Sequence, residues 1–322
     1  MNEELLKVEN LTKHFSAKEG IFGRGGGVVH AVNGVSFSIK TGETFGLVGE
    51  SGCGKSTLAK LIARLIEPTS GKVIFDGRDI TNLKQSRLKD IRKNIQFIFQ
   101  DPHASLNPRM TIGETIGEPL LIHKIAAGKE NIQKVLQLLN VVGLDKDALS
   151  RYPHEFSTGQ RQRIGIARAI ALNPKLIIAD EPISSLDVSV QAQILNLLEV
   201  LRKEFNLTYL FITHDLRIVE YISDRVMVMY LGKIMEISNC ADIYKQPLHP
   251  YTEALLSSTP IPDPRKKKQR ILLRGEIPSP LNLPSGCVFH TRCIYAKEKC
   301  SVEVPSLISK GERLFACHYP LL

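Results

Sequence analysis

Gly49-Glu50-Ser51-Gly52-Cys53-Gly54-Lys55-Ser56-Thr57 follows the apolar run Phe45-Gly46-Leu47-Val48 and leads into a helix-like stretch, Leu58 to Ile66. Glycines at this spacing let successive backbone N–H groups turn onto phosphate oxygens, and a helix opening there points its positive end at them. Lys55 would reach the β- and γ-phosphates, and Ser56 would offer its hydroxyl to Mg²⁺. The residues expected to bind a nucleoside triphosphate are therefore Gly49, Ser51, Gly52, Cys53, Gly54, Lys55, Ser56 and Thr57. An ordinary glycine-rich turn is the bland alternative, and a strand before it with a helix after it favours the phosphate cradle.

A second cluster, Leu176-Ile177-Ile178-Ala179-Asp180-Glu181, is an apolar strand ending in two carboxylates. Such a pair can divide labour: Asp180 holds the Mg²⁺ shell, and Glu181 polarises the water that attacks the γ-phosphate. Pro182, Ser184, Ser185, Leu186 and Asp187 read as a turn. His214 follows the apolar run Tyr209 to Thr213, where the end of a core strand would face the phosphates.

These groups need a scaffold. Strand-like runs at Phe45 to Val48, Lys72 to Phe75, Ile95 to Phe99, Leu176 to Ala179 and Tyr209 to Thr213 alternate with helical patterns, which predicts an α/β domain with a largely parallel sheet. Ile132, Val135, Leu136, Leu139 and Val142 recur at helical spacing before Gly143, and Ser189 to Phe205 places Val190, Ile194, Leu197, Leu198 and Leu201 on one side. Both stripes read as core packing. Gly20 to Gly27 reads as a flexible excursion between two strands. After Ser258 the composition changes: eight of the 17 prolines and four of the six cysteines lie from Pro260 onward, the mark of a small appended module rather than a continued sheet.

The 322 residues suffice for one large domain with an appendage. No run of apolar residues is long enough for a membrane span, and Met1-Asn2-Glu3-Glu4 lacks the basic and apolar sections of a signal peptide, so the chain is expected in the cytosol. A net charge of +9 is dispersed over the sequence, and Arg265-Lys266-Lys267-Lys268 with Arg270 sits among prolines as an exposed loop. Nucleic acid is therefore not an expected partner. Six cysteines in such a compartment do not suggest disulfides.

Between the two acidic and glycine-rich landmarks lies Phe156-Ser157-Thr158-Gly159-Gln160-Arg161-Gln162-Arg163, opening the helical run Ile164 to Leu172. The phosphate loop, Gln100 after an apolar strand, this Ser-x-Gly-Gln helix start, Asp180-Glu181, Ser185-Leu186-Asp187 and His214, in that order, resemble the ATPase subunit of an ABC transporter. The resemblance implies two subunits closed head to tail, each ATP lying between one phosphate loop and the other subunit's signature helix. It assigns Glu181, His214 and Gln100 to hydrolysis, Gln100 to Mg²⁺ beside Ser56 and Asp180, and Ser157, Gly159, Gln160 and Asp187 to nucleotide binding. Phe15 in Leu11-Thr12-Lys13-His14-Phe15 would stack on adenine, although an aromatic near a strand end is usually core. The family usually carries two glycines after the signature serine. Here Thr158 precedes Gly159, and its β-branch is expected to crowd the incoming phosphate.

Gln100-Asp101-Pro102-His103-Ala104-Ser105-Leu106-Asn107-Pro108-Arg109-Met110, Tyr152-Pro153-His154-Glu155-Phe156-Ser157 and His249-Pro250-Tyr251-Thr252-Glu253-Ala254-Leu255-Leu256 resemble the oligopeptide and dipeptide importer ATPases in particular. Gly159 to Ala169 and Glu276-Ile277-Pro278-Ser279-Pro280 are closer to the F-type subunit of that branch than to its D-type partner. The implied organisation is an ABC ATPase domain over residues 1–258, with a helical subdomain at about 101–172, and a C-terminal extension over 259–322.

Cys287, Cys293, Cys300 and Cys317, with His290 and His318 nearby, could hold an iron–sulfur cluster or a tetrahedral zinc. The spacing matches neither the close cysteine pairs of structural zinc nor the common ferredoxin runs. Gly286-Cys287-Val288-Phe289-His290-Thr291-Arg292-Cys293 resembles the C-terminal cysteine stretch of peptide-importer ATPases, which implies a [4Fe–4S] cluster ahead of zinc or packed free thiols. The whole resemblance implies a peripheral subunit on the cytoplasmic face of the membrane, paired with a nonidentical ATPase, driving two transmembrane permease subunits and served indirectly by an extracytoplasmic peptide-binding protein. Nickel or glutathione import is the alternative within the family. A soluble ABC ATPase of translation or DNA repair is less favoured, because this chain has one cassette and no sustained heptads.

Overall fold

The computed structural model describes residues 3–16, 27–258, 270–273 and 275–321. The expected excursion at 20–27 and the basic run at 265–270 lie outside these, apart from Gly27 and Arg270. The elements run β1 (Glu4–Ser16), β2 (Val28–Lys40), β3 (Thr44–Val48), α1 (Lys55–Ile62), β4 (Ser70–Phe75), β5 (Arg78–Asp79), α2 (Gln85–Asn94), β6 (Ile95–Ile98), α3 (Ile112–Ile122), α4 (Gly128–Val141), α5 (Thr158–Ile170), β7 (Leu176–Asp180), α6 (Val188–Phe205) and β8 (Thr208–Ile212). They continue with α7 (Leu216–Ile222), β9 (Arg225–Tyr230), β10 (Lys233–Asn239), α8 (Cys240–Lys245), α9 (Pro250–Ser258), α10 (Glu298–Val302), β11 (Ile308–Lys310) and β12 (Arg313–Phe315). The chain forms two compact units, Glu3–Asn82 with Thr213–Leu322, and Leu83–Ile212. Among the described residues no helix is long and apolar enough to cross a membrane.

In the first unit, β2-β1-β4-β5 form an antiparallel sheet, with Val8 opposite both Phe37 and Val73. The run Lys72 to Phe75 therefore belongs to this sheet and not to the parallel one its spacing suggested, because alternation along one strand carries no information about its partner. The unit's other strands follow the order β11-β12-β10-β9-β3, with β3 parallel to β9 and the rest antiparallel. Two short strands from beyond residue 270 thus extend a sheet, where the proline-rich composition had suggested a separate module. They are three residues each, too short to leave a periodic signal. Phe289, Val288, Cys287 and Cys300 also join a buried cluster with Tyr230, Tyr251, Val226 and Ile243.

The second unit contains β6, β7 and β8 in parallel register, Ile178 lying between Phe97 and Leu210. β7 and β8 are buried at every position, which is why both read as continuous apolar runs. On α6, Ile194, Leu198 and Leu201 are buried as the stripe predicts, while Val190 and Leu197 are half-buried. On α4, Val135 and Leu139 are buried but Ile132 is 47% exposed; it lines a surface groove with Leu121, so the stripe is wider than the core it faces.

Candidate nucleotide site

The first unit carries the glycine-rich loop. β3 delivers the chain to Gly49, and α1 opens at Lys55 with Gly54 as its cap at φ 105°. Two glycines are sterically required there: a Cβ on Gly49 would lie 2.2 Å from the Met229 carbonyl oxygen, and one on Gly54 would lie 2.1 Å from that of Ala31. Lys55 is buried, and its Nζ donates to the carbonyl oxygens of Gly49 at 2.7 Å and Glu50 at 3.0 Å, with Cys53 Sγ at 3.8 Å. The lysine is therefore folded over its own loop. Burial pushes the Cys53 thiol above its usual range despite the adjacent ammonium, so it is a packed neutral group. Cys53 also accepts at its carbonyl from Gly232 N–H, tying the loop to the β9–β10 turn.

His214 is exposed, directly before Asp215, which caps α7 by accepting from Arg217 N–H. The preceding residue, Thr213, donates its N–H to the Leu47 carbonyl, which fixes this segment beside β3. Phe15, at the end of β1 opposite Val29, is 40% exposed with Lys13 Nζ 5.0 Å from its ring centre. It is not a core residue, and a planar base could lie on its free face.

The second unit carries the acidic strand end. Asp180 is buried at the close of β7. Glu181 has φ 47°, a left-handed conformation that costs a residue with a Cβ roughly 1–2 kcal/mol, and its N–H donates to the Ile212 carbonyl at 2.9 Å. Its carboxylate accepts from Gln100 Nε2 at 3.1 Å, so two expected site residues 81 positions apart meet. The following turn is held by Ser184, whose hydroxyl donates to the Glu181 carbonyl, and by Gln191 Nε2, which donates to the carbonyls of Ile183 and Leu186. Asp187 then caps α6, accepting from Val190 N–H at 3.0 Å and Ser189 hydroxyl at 2.6 Å; these bonds hold its carboxyl below the usual range.

Ser157 opens α5 through a capping box. Its hydroxyl accepts from Gln160 N–H, and Gln160 Oε1 accepts from Ser157 N–H. Thr158 is the first helical residue and is exposed. Gly159 faces α6, where an added Cβ would lie 2.6 Å from Val190 Cγ1. Arg163 braces the same helix through the Val142 carbonyl and Gln193.

In the C-terminal region, Cys287, Cys293, Cys300 and Cys317 line one cavity of about 20 Å³ with His249, His290 and His318. All six cysteines of the chain are free thiols. His290 Nδ1 and His318 Nε2 pair with the carbonyls of Cys287 and Glu303, and burial raises the thiols of Cys293 and Cys317 to about 11. Among the described residues, no three His, Cys, Asp or Glu side chains are grouped to hold a metal ion. The donor set, four cysteine thiols lining one cavity, is of a chemical type that suits either an iron–sulfur cluster or a tetrahedral zinc.

Three residues outside every sequence motif's assigned roles touch this machinery. Tyr251 hydroxyl accepts from Glu50 N–H, Arg292 pairs with the Glu50 carboxylate, and Gln191 holds the turn after Glu181. Tyr251 and Arg292 lie within stretches quoted for the family resemblance and Gln191 within the expected Ser189 to Phe205 helix, but the sequence assigns none of the three a role.

A glycine-turned phosphate loop in one unit, with an acid-ended strand and a capped Ser-x-Gly-Gln helix in the other, defines an ATPase of the P-loop class. The sequence profile of ABC transporters matches residues 32–184, and that of the oligopeptide/dipeptide transporter C-terminal region matches 235–300. Over 320 residues the chain is 56% identical to the oligopeptide transport ATP-binding protein AppF of Bacillus subtilis, covering 98% of this chain and 97% of that one. It is 51% identical over 319 residues to the probable peptide ABC transporter ATP-binding protein y4tS of Sinorhizobium fredii, covering 99% and 90%. Among solved structures it resembles the ATP-binding cassette MJ0796, a dimer in a post-hydrolysis state with ADP and Pi, at a TM-score of 0.65 and 32% identity over 73% of this chain and 98% of that one. The chain belongs to the ABC transporter ATP-binding proteins, in the oligopeptide/dipeptide transporter family.

Proposed function

We propose that this chain is the F-type ATPase of a di- or oligopeptide importer, with residues 1–258 as the ATPase domain and 259–322 as its extension. It works at the cytoplasmic face of the membrane, head to tail with a nonidentical ATPase, on two permease subunits supplied by an extracytoplasmic binding protein. The support is the near full-length likeness to peptide-transport relatives, together with the C-terminal family match.

In this reading Lys55 leaves the Gly49 and Glu50 carbonyls to meet the β- and γ-phosphates, while the loop amides surround them. Phe15 supports the adenine. Ser56, Asp180 and Gln100 would hold Mg²⁺, a hard ion suited to their oxygens, which neutralises charge on the phosphates. Glu181 takes the proton of the attacking water, and His214 faces the γ-phosphate. Ser157, Gly159, Gln160 and Asp187 serve the nucleotide held by the partner. The observation that carries the hydrolytic assignment is Glu181 itself: a strained backbone aims a carboxylate at the end of a parallel strand and Gln100 fixes it there.

Glu181→Gln keeps the shape and removes the base. With the partner's site silenced, turnover in the assembled transporter is expected to fall by ~10² to 10⁴-fold with ATP binding intact. An unchanged rate refutes the role.

For the cysteine cavity we propose a [4Fe–4S] cluster on Cys287, Cys293, Cys300 and Cys317, with zinc as the alternative. These four residues would hold it, and its contribution there would be structural, cross-linking the extension through their sulfurs.

A further inference from the structure

Glu50, the second residue of the phosphate loop, is anchored from far along the chain. Its N–H donates to the Tyr251 hydroxyl at 3.0 Å. Its carboxylate receives both terminal nitrogens of Arg292, Nη1 at 2.6 Å and Nη2 at 3.0 Å. Arg292 is 8% exposed and Glu50 23%, so the pair is largely screened from water. Nη1 also donates to the Tyr230 hydroxyl at 3.3 Å.

The arginine is held stiffly. Its own N–H donates to the Phe289 carbonyl, inside the tight turn that runs from Cys287 to Cys293. Phe289 is fully buried against Tyr230 and Tyr251, with ring centres 5.3 and 5.2 Å apart. Arg292 Nε is buried and has no hydrogen-bond partner among the described residues. A buried donor left unsatisfied is uncommon. It is tolerated here where the guanidinium is turned end-on to Glu50.

We propose that Arg292 is a positioning residue for the phosphate loop, neutralising and fixing Glu50 so that ATP affinity depends on the cysteine-bearing turn of the C-terminal extension. Two effects follow from the geometry. The Glu50 carbonyl is one of the two that hold Lys55 Nζ, so displacement of Glu50 moves the lysine's acceptor. An unneutralised carboxylate in a loop that receives a triphosphate also repels it, and Arg292 removes that repulsion. The inference rests on the reading that residues 49–57 take the phosphates of ATP.

Equilibrium titration of the full-length chain with a nonhydrolysable ATP analogue tests it, with Lys55→Ala as the control for that reading. Arg292→Met is expected to weaken affinity on the order of tenfold. Arg292→Lys should recover part of the loss, since it restores charge without the two-pronged fork. Adding Glu50→Gln to Arg292→Met should move affinity back towards the native value, because no bare carboxylate remains; a merely structural role for Arg292 would make the second change neutral or additive. Where Arg292→Met fails to fold, Arg292→Gln with and without Glu50→Gln gives the same comparison, since it also removes the positive charge. Native affinity in Lys55→Ala would overturn the phosphate-loop reading. Weakened binding in Lys55→Ala with native affinity in Arg292→Met, or no recovery or a further loss on adding Glu50→Gln, would overturn the Arg292 proposal alone.

Discussion

Gly159→Ala is expected to change sign with its surroundings. The added methyl would lie 2.6 Å from Val190 Cγ1, while the next nearest atoms of that side chain are 3.8 Å away. Val190 has little room to yield: its N–H is bonded to the Asp187 carboxylate at the start of α6, and a valine in a helix keeps one rotamer. Overpacking of this kind costs about 1–3 kcal/mol. Replacing glycine by alanine within a helix returns up to ~1 kcal/mol. With the full helix gain subtracted, the net loss of stability should therefore be about 0–2 kcal/mol in the native background. In a Val190→Ala background the clash is gone and only the helix term remains, so Gly159→Ala should be neutral or stabilising by up to ~1 kcal/mol. Urea denaturation of the four chains, native, each single variant and the double, closes the cycle. Equal destabilisation by Gly159→Ala in both backgrounds would refute the packing account and leave the glycine to be explained by nucleotide approach alone.

Protein isolated anaerobically is expected to contain iron and sulfide in the proportion of one [4Fe–4S] cluster per chain, and Cys293→Ser to lose it; stoichiometric zinc without iron would replace the cluster by the alternative ion. Burial lowers the His249 pKa from 6.5 to about 3, so below pH 6.5 the unfolded chain binds a proton that the folded one refuses. Stability present above pH 6.5 is lost as the pH falls towards 3, and His249→Asn, whose Oδ1 stands at the Nδ1 position as an acceptor for Tyr251 N–H, should flatten that part of the curve. An unchanged slope in pH-dependent urea midpoints would show that His249 is not the titrating group.

The local structure of the candidate site was largely legible because its signals are local. Ser157 and Gln160 are three residues apart and declare a helix start; Asp180-Glu181 closes an apolar run that is buried at every position. Adjacent residues also fixed the loop, whose glycines answer to backbone oxygens at Met229 and Ala31 that no sequence reading would have named. Partnership between strands was not legible. Lys72 to Phe75 has the composition of any strand, and only the structure places it opposite Leu6 to Glu9 in an antiparallel sheet. Ile132 was misjudged because spacing locates a helix face without saying how wide the core beneath it is. Tyr251 and Arg292 were missed for the related reason that nothing near them in sequence points to residue 50.

The two anchors of Glu50 lie 201 and 242 residues downstream of it. During synthesis the loop emerges early and its supports emerge late. At ordinary rates of about 5–20 residues per second, the interval before Arg292 is made is on the order of tens of seconds. Until Tyr251 is made Glu50 has neither of the two partners that hold it in the finished chain, and from then until Arg292 it has only one. A nascent chain released or truncated before residue 292 would have the whole glycine-rich motif and lack the Arg292 brace. Completion of the nucleotide loop is thereby tied to completion of the polypeptide.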